Sequence, residues 1–461
     1  MTHGNYLKAA SLALALAAAP AGAQLGSTNP APGPRGVYAI TNARIVPVSG
    51  PEIAKGTVVI GADGKIQAVG ADPSTGSGQA LAVPAGATVI DATGLSVWPG
   101  MMDAGTRMGL AEIAQGANAT VDDAETGSLN PNAQAIYGLN PHSAHIGVTR
   151  VGGVTHVVSS PTGGLVSGQS AVVNLAGWTV PEMTVVPRSA LVVNLPSSGF
   201  GGRGGGFGAF LAQQQGGGPN AQEQARTRER QLDSIRTLLR DAEAYRAAHA
   251  AYEKDRSLPR PRHDVVLASL DRVVAGQEPA IFTANRAGEI RQAIEFAKEM
   301  KLKPIIVGGR DAWMVIDLLK QNDVAVILTE VRALPTREDD PYDVNYTTPA
   351  KLAAAGVRFA IASGDDGPHV RDLPHVAGMA VAFGLPKEAA LKAVTLAPAQ
   401  IFGVADRFGS IEVGKVANLV VTDGDLFEPR TKTKQLFIDG RPIPLGNRHE
   451  DLYNLFKDRI K

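Results

Sequence analysis

Pro279–Gly309 reads PAIFTANRAGEIRQAIEFAKEMKLKPIIVGG, a stretch that alternates between two kinds of pattern. PAIFTAN and KPIIVGG contain short, nearly continuous apolar runs, which are typical of strands buried on both faces. Between them, EIRQAIEFAKEM carries apolar residues at i, i+3, i+4 and i+7, which predicts an amphipathic helix. Strand, helix and strand in this order predict a parallel pair joined by a crossover helix.

The same alternation continues on both sides of this unit. THVVSS, ALVVNLP, VAVILTE and VRFAIASG are further apolar strand candidates, and DAWMVIDLLKQ is a second helix candidate. Because the pattern extends over residues 99–407, we expect an α/β fold with a closed (β/α)8 TIM-like barrel rather than an open sheet.

Shorter strands lie outside the barrel segment, at both of its ends. TVVIGADGKIQAVG (Thr57–Gly70) predicts two strands around an Asp-Gly turn, and GSIEVGKVANLVVTDGD (Gly409–Asp425) repeats that hairpin pattern. Neither segment buries a core by itself. We therefore expect residues 37–98 and 408–448 to form one small β-sandwich domain, and residues 449–461 to form a C-terminal helix.

The first 23 residues are predicted to be a cleavable signal peptide. Lys8, an alanine-rich apolar run and the small residues Ala21-Gly22-Ala23 give that pattern, and a linker follows over residues 24–36. An uncleaved amphipathic anchor is the alternative. We expect a periplasmic or secreted protein, in which the lack of cysteine excludes disulfides and thiolate metal ligands. No later segment is predicted to be transmembrane.

Charge and composition bear on the kinds of partner. Lys plus Arg and Asp plus Glu number 44 each among the 461 residues, so no net field attracts nucleic acid. Gly199–Pro219 is predicted to be a flexible glycine-rich loop rather than a phosphate-binding motif, because no compact strand–turn–helix with an acidic residue follows it. Ala221–Lys254 is predicted to be a long helix with a solvated charged face.

Three stretches resemble the amidohydrolase superfamily, in particular its imidazolonepropionase-like and dihydroorotase-like exported members. They are WPGMMDAGTRMGL (Trp98–Leu110), NPHSAHIGVTRVGGVTHVVSSPTGGLVSGQSAVV (Asn140–Val173) and ALKAVTLAPAQIFGVADRFGSIEVGKVANLVVTDGD (Ala390–Asp425). The resemblance extends roughly over residues 37–448 and implies a barrel flanked by a two-part β domain. It also implies metal-assisted hydrolysis of C–N bonds in non-peptide or dipeptide-like compounds.

The resemblance further implies a site at the carboxyl ends of the barrel strands. Members of the superfamily hold one or two divalent cations, usually Zn²⁺, with two histidines of a PGhhDxHxH pattern on the first strand. Further histidines follow strands five and six, and an aspartate that moves the proton follows strand eight. Bound Zn²⁺ lowers the pKa of water towards ~7, so that hydroxide forms near neutral pH and attacks the substrate.

This sequence departs from the family's histidine pattern. Gly105 and Arg107 stand where the first strand would carry its two histidines. Thr283, with Asn285 two residues on, stands in the strand-five position, and Gly308 stands in the strand-six position. Glycine has no ligand atom and arginine is a permanent cation. We therefore predict that the inherited Zn²⁺ site is not retained, and we assign no metal ligand and no cofactor.

One acid of the family pattern remains. Asp365 matches the strand-eight acid and base, and Asp366 lies next to it. We predict that Arg107 lies near the vacated cation position and pairs with Asp365 or Asp103, since an unpaired buried carboxylate would be costly. The alternative is that Arg107 points to solvent. Asp103, Asp366 and His369 complete the predicted pocket.

Two interpretations of function remain open. In the first, the protein hydrolyses C–N bonds through a shifted or weakly bound metal. In the second, it is a non-catalytic homologue that binds a small-molecule ligand, forms a homo-oligomer or pairs with an active relative. They differ in whether three candidate side chains converge at the barrel mouth or the histidines instead cap helices and line polar cavities. The candidates are Asp103, His142, His145, His156, Asp365, Asp366, His369 and His375.

Overall fold

The computed structural model describes residues 29–72, 81–113, 117–196, 221–364 and 367–459. The predicted signal peptide, the glycine-rich loop, and the pair Asp365 and Asp366 lie outside the described residues.

Sixteen strands of the described residues form two sheets. In chain order they are β1 (Tyr38–Ile45), β2 (Ile53–Ile60), β3 (Ile66–Ala71), β4 (Thr88–Asp91), β5 (Ser96–Pro99), β6 (Met101–Thr106), β7 (Val154–Ser159), β8 (Val166–Asn174), β9 (Thr184–Val193), β10 (Ala280–Ala284), β11 (Pro304–Gly308), β12 (Ala325–Leu328), β13 (Phe359–Ile361), β14 (Leu419–Thr422), β15 (Thr433–Ile438) and β16 (Arg441–Pro442). Strands β6 to β13 form one sheet in sequential order. The other sheet has the order β16-β15-β14-β5-β1-β2-β3, with β4 paired to β1.

The sheet β6–β13 forms the nearly closed barrel that the sequence predicts. Its first and last strands meet where the backbone N–H of Ser363 donates to the Asp103 carboxylate at 3.0 Å. Apolar side chains that point inward from the strands fill the interior, among them Met102, Val158, Val192, Ile281, Ile327 and Ala360. The barrel therefore has a packed core, and room for a ligand lies only towards its ends.

One strand departs from the predicted parallel arrangement. β8 runs antiparallel to both β7 and β9, whereas the other neighbouring pairs of the barrel are parallel. The connections on either side of β8, residues 160–165 and 175–183, are too short for the crossover of about a dozen residues that parallel strands need. Apolar composition does not reveal this direction, because all of β8 is buried in either orientation.

Helices cover the outside of the barrel and follow several of its strands. In chain order they are α1 (Ala135–Gly138), α2 (Ala144–Val151), α3 (Val180–Met183), α4 (Ala221–Lys254), α5 (Val265–Ser269), α6 (Asp271–Val274), α7 (Ala287–Glu299), α8 (Ile316–Gln321), α9 (Val344–Ala355), α10 (Leu373–Ala382), α11 (Lys387–Ala393), α12 (Leu396–Ile401) and α13 (Arg448–Phe456). α7 buries Ile290, Ala293, Ile294 and Ala297 on one face, as its periodicity predicts. Along the described residues we find no helix that combines the length and hydropathy needed to cross a membrane.

The second sheet joins the two ends of the chain, as the paired hairpin patterns predict. β5 pairs parallel with β1 and antiparallel with β14. Trp98 in β5 is buried and donates its Nε1–H to the Thr422 hydroxyl at 2.8 Å. Because β5 leads through Gly100 directly into β6, this sheet fixes the entry of the first barrel strand.

Candidate functional site

The positions that the sequence singles out on β6, β10 and β11 lie at one end of the barrel. Thr283 pairs with Val307 across β10 and β11, and Gly308 is the last residue of β11. Gly105 is next to last in β6, beside Thr329 from the end of β12. Since the carboxyl ends of parallel strands meet at one edge, these residues share the mouth of the barrel.

Gly105 is enclosed by its neighbours. A Cβ atom added there would lie 3.2 Å from the Cβ of Ala362 and 3.2 Å from the Cγ2 of Thr329. Both contacts are tighter than ordinary van der Waals distances, so even an alanine would require the neighbours to shift. A histidine at this position would require the same neighbours to move.

Gly308 is constrained by both its backbone and its surroundings. Its φ of 110° lies in the left-handed region that favours glycine. A Cβ atom there would lie 2.5 Å from Oδ1 of Asn285, an atom that is buried and has no hydrogen-bond partner. The strand-six position is therefore closed to a histidine side chain in this conformation, and Asn285 fills part of the space.

Thr283 offers a polar group at the mouth. Ile281, two residues earlier, points into the barrel core, and alternate residues of a strand share one face. Thr283 is nevertheless exposed, while its neighbours Phe282 and Ala284 are buried. Its side chain therefore extends from the interior face into the open mouth.

Arg107 is paired with a carboxylate that the sequence pattern did not indicate. Its guanidinium forms an ion pair with Asp123, and the two side chains are only 19% and 8% exposed. The Asp103 carboxylate instead accepts the backbone N–H groups of Gly105 and Ser363, each at 3.0 Å. The hydrogen bond from Ser363 thus links Asp103 in β6 to the segment just after β13. Pairing of Arg107 with Asp365 lies outside the described residues and stays a prediction.

His142, His145 and His156 lie in separate environments. His142 precedes α2 and packs against Trp178 with ring centroids 4.8 Å apart. His145, in the first turn of α2, has its Nε2 2.9 Å from the Glu112 carbonyl oxygen. His156 is fully buried in β7, and burial lowers its pKa to about 3, so it is neutral at physiological pH. The spacing of His142 and His145 therefore does not produce a shared site.

His369 and His375 both lie in the segment after β13. The Nδ1 of His369 is 3.4 Å from the Asp372 carboxylate, and His375 lies in α10 with a buried Nδ1 that has no hydrogen-bond partner. Among the residues that the structure describes, no three His, Asp or Glu side chains form a group that could hold a metal. A glycine, a threonine hydroxyl and a paired guanidinium do not fit Zn²⁺, which takes imidazole, thiolate and carboxylate ligands.

Further arginine–carboxylate pairs follow the barrel strands. After β11 and β12, Arg337 donates from both terminal nitrogens to Asp311 at 2.9 and 3.0 Å, and Arg310 pairs with Glu330. The family's metal-ligand pattern does not include these positions. Asp311 lies three residues after the end of β11 and Glu330 two residues after the end of β12, and strand ends are where barrel sites are expected.

A nearly closed barrel of sequential strands, flanked by a sheet from both chain ends, is the architecture of solved amidohydrolases. Residues 311–443 match the family model described as the amidohydrolase family. The crystal structure of an amidohydrolase from Thermotoga maritima MSB8 is similar over 88% of this chain and 99% of its own, with 26% identity and a TM-score of 0.74. The family-model match and this structure support the assignment of the chain to the amidohydrolase superfamily.

Two other known proteins are similar to this chain, one in fold alone and one over a short segment. A prolidase complexed with N-methylphosphonate-L-proline covers 88% of this chain and 99% of its own at 17% identity and a TM-score of 0.53, which shows the fold alone. The amidohydrolase tasK of Hapsidospora irregularis is 39% identical over 72 residues, which make up 14% of this chain. That match spans 7% of the relative's length.

Proposed function

We propose that this chain is a non-hydrolytic member of the amidohydrolase superfamily that binds a small molecule at the barrel mouth. The observation that carries the proposal is the packing around the replaced histidine positions. Gly105 and Gly308 lack ligand atoms, and close contacts with Ala362 and Asn285 fill the space where a ligand side chain would begin. The donor set at the mouth does not suit a metal that activates water.

The groups that remain at the mouth support binding by hydrogen bonds. Thr283 presents an exposed side chain whose hydroxyl can donate and accept. Arg107 keeps a positive charge near the end of β6, and Asp123 holds its guanidinium in place. Such a site suits a neutral amide or an N-acyl compound, which is the class of molecule that the family resemblance implies.

The second candidate is hydrolysis through a shifted site, and it rests on His145. A Cβ added to Gly367 would lie 3.2 Å from Cδ2 of His145, so this imidazole sits beside the segment that follows strand eight. Its Nε2 is also 3.8 Å from the Glu112 carboxylate. A histidine and a carboxylate at this place are the groups from which an acid–base pair would be built.

One experiment separates the two candidates. The chain from Gln24 onward is incubated with cyclic amides, N-acyl amino acids and Xaa-Pro dipeptides, with Zn²⁺, with Mn²⁺ and with chelator, while products and melting temperature are measured. We expect a compound that raises the melting temperature without turnover in any condition. Thr283→Val should abolish that shift, and His142→Ala, which removes a ring that packs against Trp178, should leave it unchanged.

Turnover would overturn the proposal. If a product forms with Zn²⁺ or Mn²⁺ and disappears in His145→Ala but not in His142→Ala, the shifted site is correct. If no compound shifts the melting temperature and none is hydrolysed, binding of amide-like molecules at the mouth is wrong.

A further inference from the structure

The amino-terminal end of the barrel, opposite the mouth, contains a cleft of about 650 Å³. Its walls come from the starts of β10, β11 and β12, and residues 400–403 at the end of α12 close one side. A volume of this size is typical of small-molecule sites. This cleft is separated from the mouth by the packed interior of the barrel, so it is independent of the proposed function.

Positive charge prevails in the lining of the cleft. The cationic residues are Arg188, Arg272, Lys303 and Arg358, and the acidic residues are Glu278 and Asp323. Asp323 is occupied by Arg358, whose Nε lies 2.8 Å from its carboxylate. Among the lining residues, Glu278 is therefore the one carboxylate left to balance the charges of Arg188, Arg272 and Lys303.

Glu278 is held in an unusual state for a buried acid. Only 1% of its side chain is exposed, and its Oε2 lies 3.5 Å from Arg188 and 3.7 Å from Arg272, beyond good hydrogen-bond distances. Its Oε1 and the Nε of Arg188 are both buried without a hydrogen-bond partner. Burial raises the pKa of Glu278 more than the two arginines lower it. Buried polar groups rarely remain unpaired, so we expect a further hydrogen-bond partner for Oε1 of Glu278 and for Nε of Arg188.

The remaining walls are of two kinds. Val186, Ile305 and Phe402 provide an apolar surface, while Gln277, Asn322 and Gln400 add neutral polar groups. Apolar walls with a few convergent polar groups are the usual composition of a small-molecule pocket. The excess of guanidinium and ammonium groups selects for negative charge.

We propose that this cleft binds a small organic anion, a carboxylate or a phosphate ester, that also carries an O–H or N–H group. The anionic group binds Arg272 and Lys303, which border the open side of the cleft. The O–H or N–H group of the ligand is directed towards Glu278, the most buried of the charged residues in the lining. The apolar part of the ligand rests against Ile305 and Phe402.

The test is isothermal titration calorimetry of the folded chain with malate, succinate and inorganic phosphate. Malate differs from succinate by one hydroxyl, so the difference between their affinities tests whether Glu278 accepts a hydrogen bond from the ligand. Binding of phosphate rather than of the two carboxylates would identify phosphate esters as the ligand class. We expect saturable binding of malate or phosphate. If malate binds, its affinity should exceed that of succinate.

Variants assign the binding to the cleft. Arg272→Gln and Lys303→Gln change exposed side chains and should each weaken the affinity about tenfold, since a charged hydrogen-bond partner is lost. Arg291→Gln, on the exposed face of α7 and outside the cleft, should leave the affinity unchanged. If none of the three anions binds saturably, or if both cleft variants bind as well as the original chain, the proposal is wrong.

Discussion

The two ends of the barrel differ in how completely the protein neutralises its own charges. At the carboxyl end, Arg107 is paired with Asp123, and Arg337 makes two hydrogen bonds to Asp311. At the amino end, Glu278 lies between two arginines at distances that leave one oxygen unpaired. The arginines named at the carboxyl end are thus neutralised by carboxylates of the protein itself. At the amino end, Oε1 of Glu278 and Nε of Arg188 are buried without a hydrogen-bond partner.

The largest expected effect concerns Asp103 at the carboxyl end. Asp103→Ala should lower the free energy of unfolding by about 3–5 kcal/mol, because two backbone N–H groups at the barrel seam lose a charged acceptor. Urea unfolding followed by circular dichroism measures this. Glu278→Gln at the amino end should lower the free energy of unfolding less than Asp103→Ala does, because burial disfavours the charge of Glu278. Equal losses in both variants would contradict the difference between the two ends.

The next effect tests whether packing leaves no room for a side chain at Gly308. Gly308→Ala should destabilise the protein by about 2–4 kcal/mol, because its positive φ is unfavourable for alanine and the added Cβ meets Asn285. Gly276→Ala is the matched control, since Gly276 also has a positive φ but open space around its Cβ position. If both variants lose the same stability, packing at Gly308 contributes nothing.

A smaller loss is expected when the ion pair at the mouth is broken. Arg107→Met should lower the free energy of unfolding by about 2–3 kcal/mol, because Asp123 is left partly buried without its cation. The double variant with Asp123→Asn should recover part of that loss. Thermal melting of the four proteins in this cycle gives the coupling energy. An unchanged melting temperature in Arg107→Met would show that the Arg107–Asp123 ion pair does not stabilise the fold.

The smallest effect is a pH dependence from the buried histidine of β7. The pKa of His156 is about 3 in the folded protein and near 6.5 in the unfolded chain, so the unfolded chain binds the proton more readily. His156 therefore contributes stability that is complete above pH 6.5 and is lost as the pH falls towards 3. At pH 5 the loss is about 2 kcal/mol. His156→Gln should flatten the stability profile between pH 7 and 5, and an unaltered slope would contradict this assignment.

Much of the fold could be predicted from the sequence because its patterns are local. The continuous apolar runs and the period of α7 identify barrel strands and helices, and matching hairpins at both ends of the chain predict the second sheet. The direction of β8 could not be predicted in this way, since a strand buried on both faces has the same composition in either direction. The short connections before and after β8, which require the antiparallel direction, follow only from the exact ends of β7, β8 and β9.

The candidate site was predictable only where the family pattern assigns a position. Gly105, Thr283 and Gly308 lie at the mouth because strand ends converge there. Asp123 was missed because it lies in the loop between β6 and β7, and no spacing rule links it to Arg107. Glu278 was missed for a similar reason, since its partners come from β9 and α6 and approach only in the folded chain.

Metal content of the purified chain distinguishes a lost metal site from a rebuilt one. The protein, expressed from Gln24 with Zn²⁺ and Mn²⁺ supplied, is dialysed and analysed by elemental mass spectrometry. We predict metal well below one equivalent per chain, because the donors at the mouth do not suit Zn²⁺ or Mn²⁺. One or two equivalents that survive dialysis would contradict the loss of the site and would direct attention to His145 and the carboxylates near it.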